Sequence, residues 1–274
     1  MKIFNKFTKA ALILVSILGV GLSLTACGNS SRNASVKSEL VRPKHLTIGM
    51  EGVLPPYSYR DGGQIKGFDV DLSHAIAKKM RLKTNIKATR WDGLIAGLGS
   101  RKMDGVIDNI TYTPQRGKSF NFSKPYSYSP YMLMVNKKNK AIKNIHDIKG
   151  KKFMEGVGTD NQAVAQKWGA HTEAATSFAE IMSAVKEGRV QGTVDSVQAW
   201  KAYAKKESTK GIRAYPIPES TQSPAKISVL FNKKDPALQK KVNRVLTELR
   251  KDGTLKKLSE KYFHTNITVK NQKN

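Results

Sequence analysis

Residues 94–108 have the sequence LIAGLGSRKMDGVID, and residues 181–195 have the similar sequence IMSAVKEGRVQGTVD. Each stretch runs from an apolar helix through a basic turn to a short strand that begins at Gly and ends at Asp. Helices that alternate with strands favour a parallel sheet, whose binding sites lie outside the carboxyl ends of its strands. The two stretches therefore predict two α/β lobes with an Asp at a strand end in each. Helix–turn–strand units are common, however, and a chance match is the alternative.

Length and composition fit one large domain or two smaller lobes. The chain has 274 residues, of which 39% are hydrophobic and 8% aromatic, enough to fill real cores. Its single Cys excludes an intrachain disulfide and any Cys-rich zinc or iron–sulfur site. The five His residues are scattered, so we expect no metal site and no cofactor. The formal charge of +27 favours an anionic partner or surface.

The N-terminus predicts an export signal followed by a lipid anchor. Three lysines precede an apolar run that is too short and too rich in Gly to span a membrane comfortably. The run ends in LTAC at residues 24–27, which resembles a bacterial lipobox. We therefore expect a lipoprotein signal peptide at residues 1–26 and lipidation of Cys27 with diacylglycerol and palmitate. Ordinary secretion with a coincidental Cys is the alternative.

The segment after the signal predicts a tether. Residues 27–44 are rich in Ser, Asn and Lys and have no apolar period, which is typical of a flexible, here lipidated, linker. The anchor would hold the folded part at the extracellular face of the cell membrane, as on a Gram-positive-type surface.

Acidic residues at strand ends are the most informative side chains in so basic a chain. Glu51 follows the first predicted strand, and Asp108 and Asp195 end the two similar units. Arg116 follows a Thr-rich turn. A guanidinium binds a carboxylate through two parallel hydrogen bonds, and an acid binds an ammonium. The set therefore fits a zwitterion.

Each candidate also has an ordinary structural interpretation. Tyr57 and Trp91 could form apolar walls of a site, but Trp91 could equally pack in a core. Arg116 alone could be a solvated charge. Asp69 and Asp71 favour a place at a helix end over ligand binding. The two acids at strand ends could be surface turn residues.

Several motifs in a fixed order resemble one family. They are GFDVDL at residues 67–72, WDGL at 91–94, TYTPQR at 111–116, FSKPY at 122–126, LRKDGT at 249–254 and YF at 262–263. Their order and spacing are similar to those of the family 3 extracellular solute-binding proteins, which are the polar amino-acid receptors of ABC importers. The resemblance covers residues 45–264.

The resemblance implies an α/β fold of the type II periplasmic-binding-protein kind, with two crossover strands and a ligand cleft between two lobes. Lobe 1 would comprise residues 45–128 plus 224–264, and lobe 2 residues 129–223. The crossovers would fall near residues 126–131 and 223–227, and residues 265–274 would form a C-terminal tail. Ligand would bridge the lobes and favour a closed form.

The resemblance also implies ligand-binding residues. They are Glu51, Tyr57, Trp91, Asp108, Asn109, Thr111, Arg116, Thr159, Asp160 and Asp195. Thr111 and Arg116 would hold the ligand α-carboxylate together with backbone N–H groups of residues 158–161. Asp195 would hold the α-amine.

Two departures from the family pattern bear on specificity. Asn109 stands where Gly is common and resembles the cystine-binding branch. The strand before Asp195 is one residue short, so the amine contact could shift to Ser196 or Asp108. Cystine or a related polar amino acid is the favoured ligand.

The expected function is that of a monomeric, substrate-binding lipoprotein that delivers a polar L-amino acid to an ABC permease. We expect no enzyme, because no nucleophile lies beside a base. One alternative is a basic adhesion protein that binds anionic wall polymers, lipids or host glycans, similar to strongly basic surface-associated members in Gram-positive bacteria. The other is a small-carboxylate dehydratase on the same fold. The export signal argues against nucleic acid as a partner.

Overall fold

The computed structural model describes residues 35–270, in which strands and helices alternate. The strands are β1 (His45–Met50), β2 (Val53–Leu54), β3 (Ser58–Asp61), β4 (Gln64–Lys66), β5 (Lys83–Ala88), β6 (Gly105–Val106), β7 (Phe120–Phe122), β8 (Ser127–Ser129), β9 (Tyr131–Asn136), β10 (Lys152–Gly156), β11 (His171–Ala175), β12 (Gly192–Ser196), β13 (Ile212–Pro216), β14 (Ala225–Ile227) and β15 (Leu230–Asn232). The helices are α1 (Val36–Glu39), α2 (Phe68–Lys79), α3 (Trp91–Gly99), α4 (Pro114–Ser119), α5 (Asp160–Lys167), α6 (Phe178–Glu187), α7 (Val197–Lys206), α8 (Pro236–Lys251) and α9 (Thr254–Phe263), with a 3-10 turn at Ile145–Ile148. Within residues 35–270, no helix combines the length and the apolar character that crossing a membrane requires.

Two five-stranded sheets form the centres of two lobes. Their strand orders are β5-β1-β6-β15-β7 and β11-β10-β12-β9-β13. The first three strands of each sheet run parallel, and the other pairings are antiparallel. The sheets are thus mixed rather than wholly parallel, because the strand that enters each sheet from the other lobe runs against its neighbour. The predicted class of two α/β lobes is confirmed.

Two short strands carry the chain between the lobes. β8 leads from the first sheet to the second, β14 leads back, and the two pair antiparallel. Tyr126, at the entrance to β8, is fully buried, and its backbone N–H donates to the Ile227 carbonyl at 2.9 Å. The lobes are therefore joined by a hydrogen-bonded pair of strands that begins on a buried aromatic ring.

The two similar sequence units occupy equivalent places in the two sheets. α3 leads into β6, which lies parallel to β1, and α6 leads into β12, which lies parallel to β10. Each of these strands begins at Gly because the next strand passes close by. A Cβ on Gly192 would lie 2.6 Å from the Met134 carbonyl oxygen, and one on Gly105 would lie 3.2 Å from that of Leu230.

The N-terminal segment packs on the first lobe through a buried acid. Glu39 is 3% exposed, and its carboxylate accepts the backbone N–H groups of Ala237 at 3.1 Å and Leu238 at 2.6 Å. These are first-turn donors of α8 that the helix itself leaves unsatisfied. Asp235, the residue before α8, forms an ion pair with Arg101 at 2.9 Å instead of capping the helix through its side chain.

This packing corrects the predicted tether of residues 27–44. Residues 35–44 belong to the fold, because Glu39 caps α8. The prediction missed this contact because α8 lies far away along the chain, where no local pattern reveals it. The predicted signal peptide, Cys27 and residues 28–34 lie outside the described residues.

The predicted C-terminal tail of residues 265–274 also needs correction. Ile267 is fully buried, its N–H donates to the Ser259 hydroxyl at 2.8 Å, and its carbonyl accepts from the Tyr128 N–H at 2.8 Å. Residues 265–268 therefore pack against α9 and the β8 strand, and residues 271–274 lie outside the described part.

Replacing Glu39 with alanine should lower the free energy of unfolding by about 2 kcal/mol, because two N–H donors of α8, one of them buried, lose their acceptor. Denaturant unfolding measures the change. Lys37→Ala is the matched control, since Lys37 is exposed on the same turn and its side chain forms no ion pair among the described residues. Equal unfolding midpoints for the two variants would contradict the capping role.

Candidate functional site

A large cleft between the lobes contains every predicted ligand-binding residue. Its volume is about 1460 Å³, and its lining includes Glu51, Tyr57, Trp91, Asp108, Asn109, Thr111, Arg116, Thr159, Asp160 and Asp195. Pockets that enclose a small ligand usually measure roughly 300–1,000 Å³. The cleft therefore has more room than one bound amino acid fills. Contact of the ten residues with ligand stays a prediction.

Arg116 presents a guanidinium with unused donors. It lies on α4, where Thr113 precedes the helix and its hydroxyl accepts the Arg116 N–H at 3.2 Å. The guanidinium Nη1 donates to the Thr111 carbonyl at 3.0 Å, and Cζ lies 5.1 Å from the centre of the Trp91 ring. Among the described residues, no carboxylate forms an ion pair with Arg116. Its remaining N–H groups are placed to bind a carboxylate.

Two acids of the first lobe line the same cleft as Arg116 and make different hydrogen bonds. Glu51 follows β1, and its Oε1 accepts the Trp91 N–H at 3.0 Å, which caps α3. Asp108 follows β6 and accepts the Ser58 hydroxyl at 3.0 Å. Burial raises the pKa of Asp108 to about 6, although the two hydrogen bonds that its carboxylate accepts act to lower it. A cation that reached Asp108 would offset this cost of burial.

Thr159 and Asp160 begin α5 and are both held in place. The Thr159 hydroxyl accepts the Gln162 N–H at 3.1 Å and donates to the Gly156 carbonyl at 2.8 Å. Asp160 accepts the Tyr131 hydroxyl at 2.8 Å. The Gly158 N–H donates to the Gln162 side-chain oxygen at 2.9 Å. It is therefore not free to bind the ligand carboxylate, contrary to the prediction for residues 158–161. The first-turn N–H groups of α5 have no acceptor within the helix itself.

Asp195 is the acid of the second lobe that is predicted to bind the α-amine of the ligand. It lies in β12, and its Oδ1 accepts the Ser196 N–H at 2.6 Å. Burial, together with the charge of Asp160, raises the pKa of Asp195 to about 6. The Ser196 hydroxyl accepts the Ala199 N–H at 2.9 Å and caps α7. Asp195 therefore remains the better acceptor for a ligand ammonium than Ser196.

Sequence reasoning missed the residues that hold the acids. Tyr131 fixes Asp160 and Ser58 fixes Asp108, and no local signal marks either one. Tyr57 is in place as predicted, but it is 3% exposed and its ring packs on Phe263 with 4.9 Å between centres. It supplies the apolar floor of the cleft rather than a free stacking surface.

Asp69 and Asp71 lie in the first turn of α2 and do not line the cleft. Asp71 pairs with Lys261 at 2.7 Å and accepts the Tyr262 hydroxyl at 2.8 Å, so it ties α2 to α9. The predicted place at a helix end is thus correct for both residues.

The cleft is far less basic than the chain as a whole. Its lining holds five carboxylates and four cations, and four of the carboxylates are among the ten predicted residues. The lysines in the cleft lining lie on α7 and are exposed. Within residues 35–270, no three His, Cys, Asp or Glu side chains are grouped to ligate a metal ion. The arrangement offers both a guanidinium for a carboxylate and carboxylates for an ammonium, which suits an organic zwitterion.

Residues 46–265 match the family model of the bacterial extracellular solute-binding proteins, family 3. The chain belongs to this family. It is 34% identical over 265 residues to the probable amino-acid-binding protein YxeM of Bacillus subtilis (strain 168), with 94% of this chain and 96% of that protein covered. It is 30% identical over 274 residues to the L-cystine-binding protein TcyA of the same organism, with 95% and 99% covered.

Solved structures agree with this family assignment. An ancestral arginine-binding protein bound to glutamine has a TM-score of 0.68 and 34% sequence identity, with 81% of this chain and 99% of that one covered. The predicted type II, two-lobed fold is thereby confirmed. The family comprises substrate-binding transport proteins, so this family 3 solute-binding protein is grouped with binding proteins and not with enzymes.

Proposed function

We propose that this solute-binding protein captures an L-amino acid with a second cationic group, with L-cystine as the preferred candidate, and delivers it to an ABC permease. The observation that carries the proposal is that the cleft of a strongly basic protein gathers carboxylates from both lobes together with the Arg116 guanidinium. The similarity to the L-cystine-binding protein TcyA supports the choice of ligand.

The α-carboxylate and α-ammonium of the ligand bind to different lobes. Arg116 of the first lobe binds the carboxylate, and Asp195 of the second lobe binds the ammonium. Hydrogen bonds to charged groups contribute about 1.5–3 kcal/mol each, so a few of them support micromolar binding. Because these contacts form together only when the lobes approach, ligand favours the closed form.

The second cationic group binds on the first lobe. Glu51, Asp108 and Asn109 lie in the cleft there, and Asp108 gains most from a cation because burial has raised its pKa. Cystine satisfies this arrangement with its second ammonium, and a dibasic amino acid satisfies it with its side chain. An amino acid with an uncharged side chain leaves Glu51 and Asp108 without a cationic partner.

Calorimetric titration of the purified protein tests the proposal. The protein is first unfolded and refolded to remove any bound ligand, and is then titrated with L-cystine, L-arginine, L-lysine and L-glutamine. We expect one tight exothermic ligand among the first three. N,N′-diacetyl-cystine is the matched control, because it keeps both carboxylates but lacks both ammonium groups and should not bind. A folded protein that binds none of the first three amino acids, whether or not it binds L-glutamine, would refute the proposal.

The remaining parts of the proposal concern the place of the protein in the cell. A diacylglyceryl group on Cys27 would anchor it at the extracellular face of the membrane, since two acyl chains are enough for stable anchoring. A monomer held there meets its permease at high effective concentration. The excess of lysines outside the cleft supports an additional contact with anionic wall polymers or lipids.

A further inference from the structure

A buried carboxylate outside the cleft connects two elements that border it. Asp69 is fully buried, and its Oδ2 accepts the Asn109 N–H at 3.0 Å while its Oδ1 accepts the Tyr126 hydroxyl at 3.1 Å. Within residues 35–270, no cation forms an ion pair with it. Burial and the nearby charge of Asp108 raise the pKa of Asp69 to about 7. Burying an acid without a cation costs stability. We therefore look for the contribution of Asp69 in the positions of the two groups that donate to it.

Asp69 is itself held firmly. Its own N–H donates to the Tyr57 carbonyl at 2.9 Å, and the Phe68 N–H donates to the Pro56 carbonyl at 3.0 Å. These two hydrogen bonds hold the first turn of α2 against the loop at Pro56 and Tyr57, which lines the cleft. The carboxylate can therefore act as a fixed point for the groups that donate to it.

Asn109 has an unusual backbone and an unsatisfied side chain. Its φ is +48°, in the left-handed region that residues other than Gly adopt at a cost. Its side-chain Oδ1 is buried and has no hydrogen-bond partner among the described residues. Asn109 lines the cleft between Asp108 and Thr111. A buried carbonyl oxygen without a donor is unfavourable, and a ligand N–H group would satisfy it.

We propose that Asp69 is a positioning residue, which holds the Asn109 backbone in its left-handed conformation and so keeps the Asn109 amide oxygen at the cleft as an acceptor for a cationic N–H group of the ligand. The inference rests on the proposed function, because it names the group that receives the second ammonium or guanidinium. The Asp69 carboxylate acts through its geometry and does not touch the ligand.

The other bond of Asp69 offers a competing role. Tyr126 leads into β8, so loss of Asp69 could alter lobe closure instead of the conformation of Asn109. Tyr126→Phe separates the two roles, because it removes only that bond and keeps the buried ring.

The first experiment measures the dissociation constants of L-cystine and L-arginine by calorimetry. Asp69→Ala should weaken binding of the tighter of the two by about ten-fold, as loss of one good hydrogen bond would. Asp69→Asn should restore binding to within about three-fold, since its amide oxygen can accept the Asn109 N–H and its NH₂ can donate to the Tyr126 hydroxyl. Tyr126→Phe should also stay within about three-fold. If Asp69→Ala does not fold, Asp69→Leu removes the acceptors while filling the space.

A double-mutant cycle with Asn109→Gly distinguishes positioning from general support of the fold. Gly adopts positive φ without help, so Asp69→Ala should cause no further loss of affinity in the Asn109→Gly protein. Equal losses in both backgrounds would overturn the inference in favour of a structural role. A loss in Tyr126→Phe as large as in Asp69→Ala would overturn it in favour of the crossover strand.

The same measurements keep the two proposals apart. Binding by the wild-type protein that Asp69→Ala leaves unchanged would overturn this inference alone. A folded wild-type protein that binds none of L-cystine, L-arginine and L-lysine would overturn the choice of a second cationic group and this inference with it.

Discussion

Replacing Arg116 with alanine should weaken amino-acid binding by at least about a hundred-fold, because the ligand carboxylate loses two charge-assisted hydrogen bonds at once. The guanidinium rests on Trp91 and donates to the Thr111 carbonyl, so it is oriented before ligand arrives. Calorimetric titration with the amino acid that binds the wild-type protein measures the loss. Arg116→Lys should recover only part of the affinity, since an ammonium cannot form the two parallel bonds.

Lys118→Ala is the matched control for this experiment. Lys118 lies on the same short helix, carries the same charge, is exposed and does not line the cleft. Its loss should change affinity by less than about two-fold, as expected for an exposed charge. Thermal unfolding of both variants should resemble that of the wild-type protein. Binding by Arg116→Ala within a few-fold of wild type would refute the assignment of the carboxylate site.

The second large effect is expected at Asp195. Asp195→Asn should weaken binding by about ten- to hundred-fold, the range for a lost hydrogen bond between a carboxylate and an ammonium. Asp92→Asn is the control, because Asp92 is an exposed acid near the cleft whose side chain is 83% exposed and does not line it. An unchanged affinity in Asp195→Asn would move the amine contact to Asp108, the alternative that the short strand before Asp195 leaves open.

The pH dependence of binding has a definite sign. Burial holds the pKa of Asp195 at about 6 in the unliganded protein, and a bound ammonium favours the ionised form. The contribution of Asp195 to affinity should therefore be fully present above about pH 7 and fall about ten-fold by pH 5, as its carboxyl becomes protonated. Titrations at pH 7, 6 and 5 measure it. Asp195→Asn should lose this part of the dependence, and what remains should come from Asp108, whose pKa is also about 6.

Most of the fold follows from local patterns of the sequence. The apolar periods of α8 and of the two similar helix–turn–strand units place their residues in the cores as predicted. Binding sites lie outside the carboxyl ends of parallel strands, so each lobe was expected to offer one acid there, Asp108 in the first and Asp195 in the second. Arg116 was predictable because its turn, its Pro and its helix are adjacent in the chain.

Local sequence patterns account for the charged groups and for the strand ends and helix starts that carry them. Which of these groups are held by hydrogen bonds from others depends on tertiary packing. Glu39 caps a helix that begins 197 positions later in the chain, Tyr131 fixes Asp160, and Asp69 fixes the backbone of Asn109. A hydrogen bond between distant polar groups has no period and no fixed spacing along the chain, so it becomes visible only once the elements have packed.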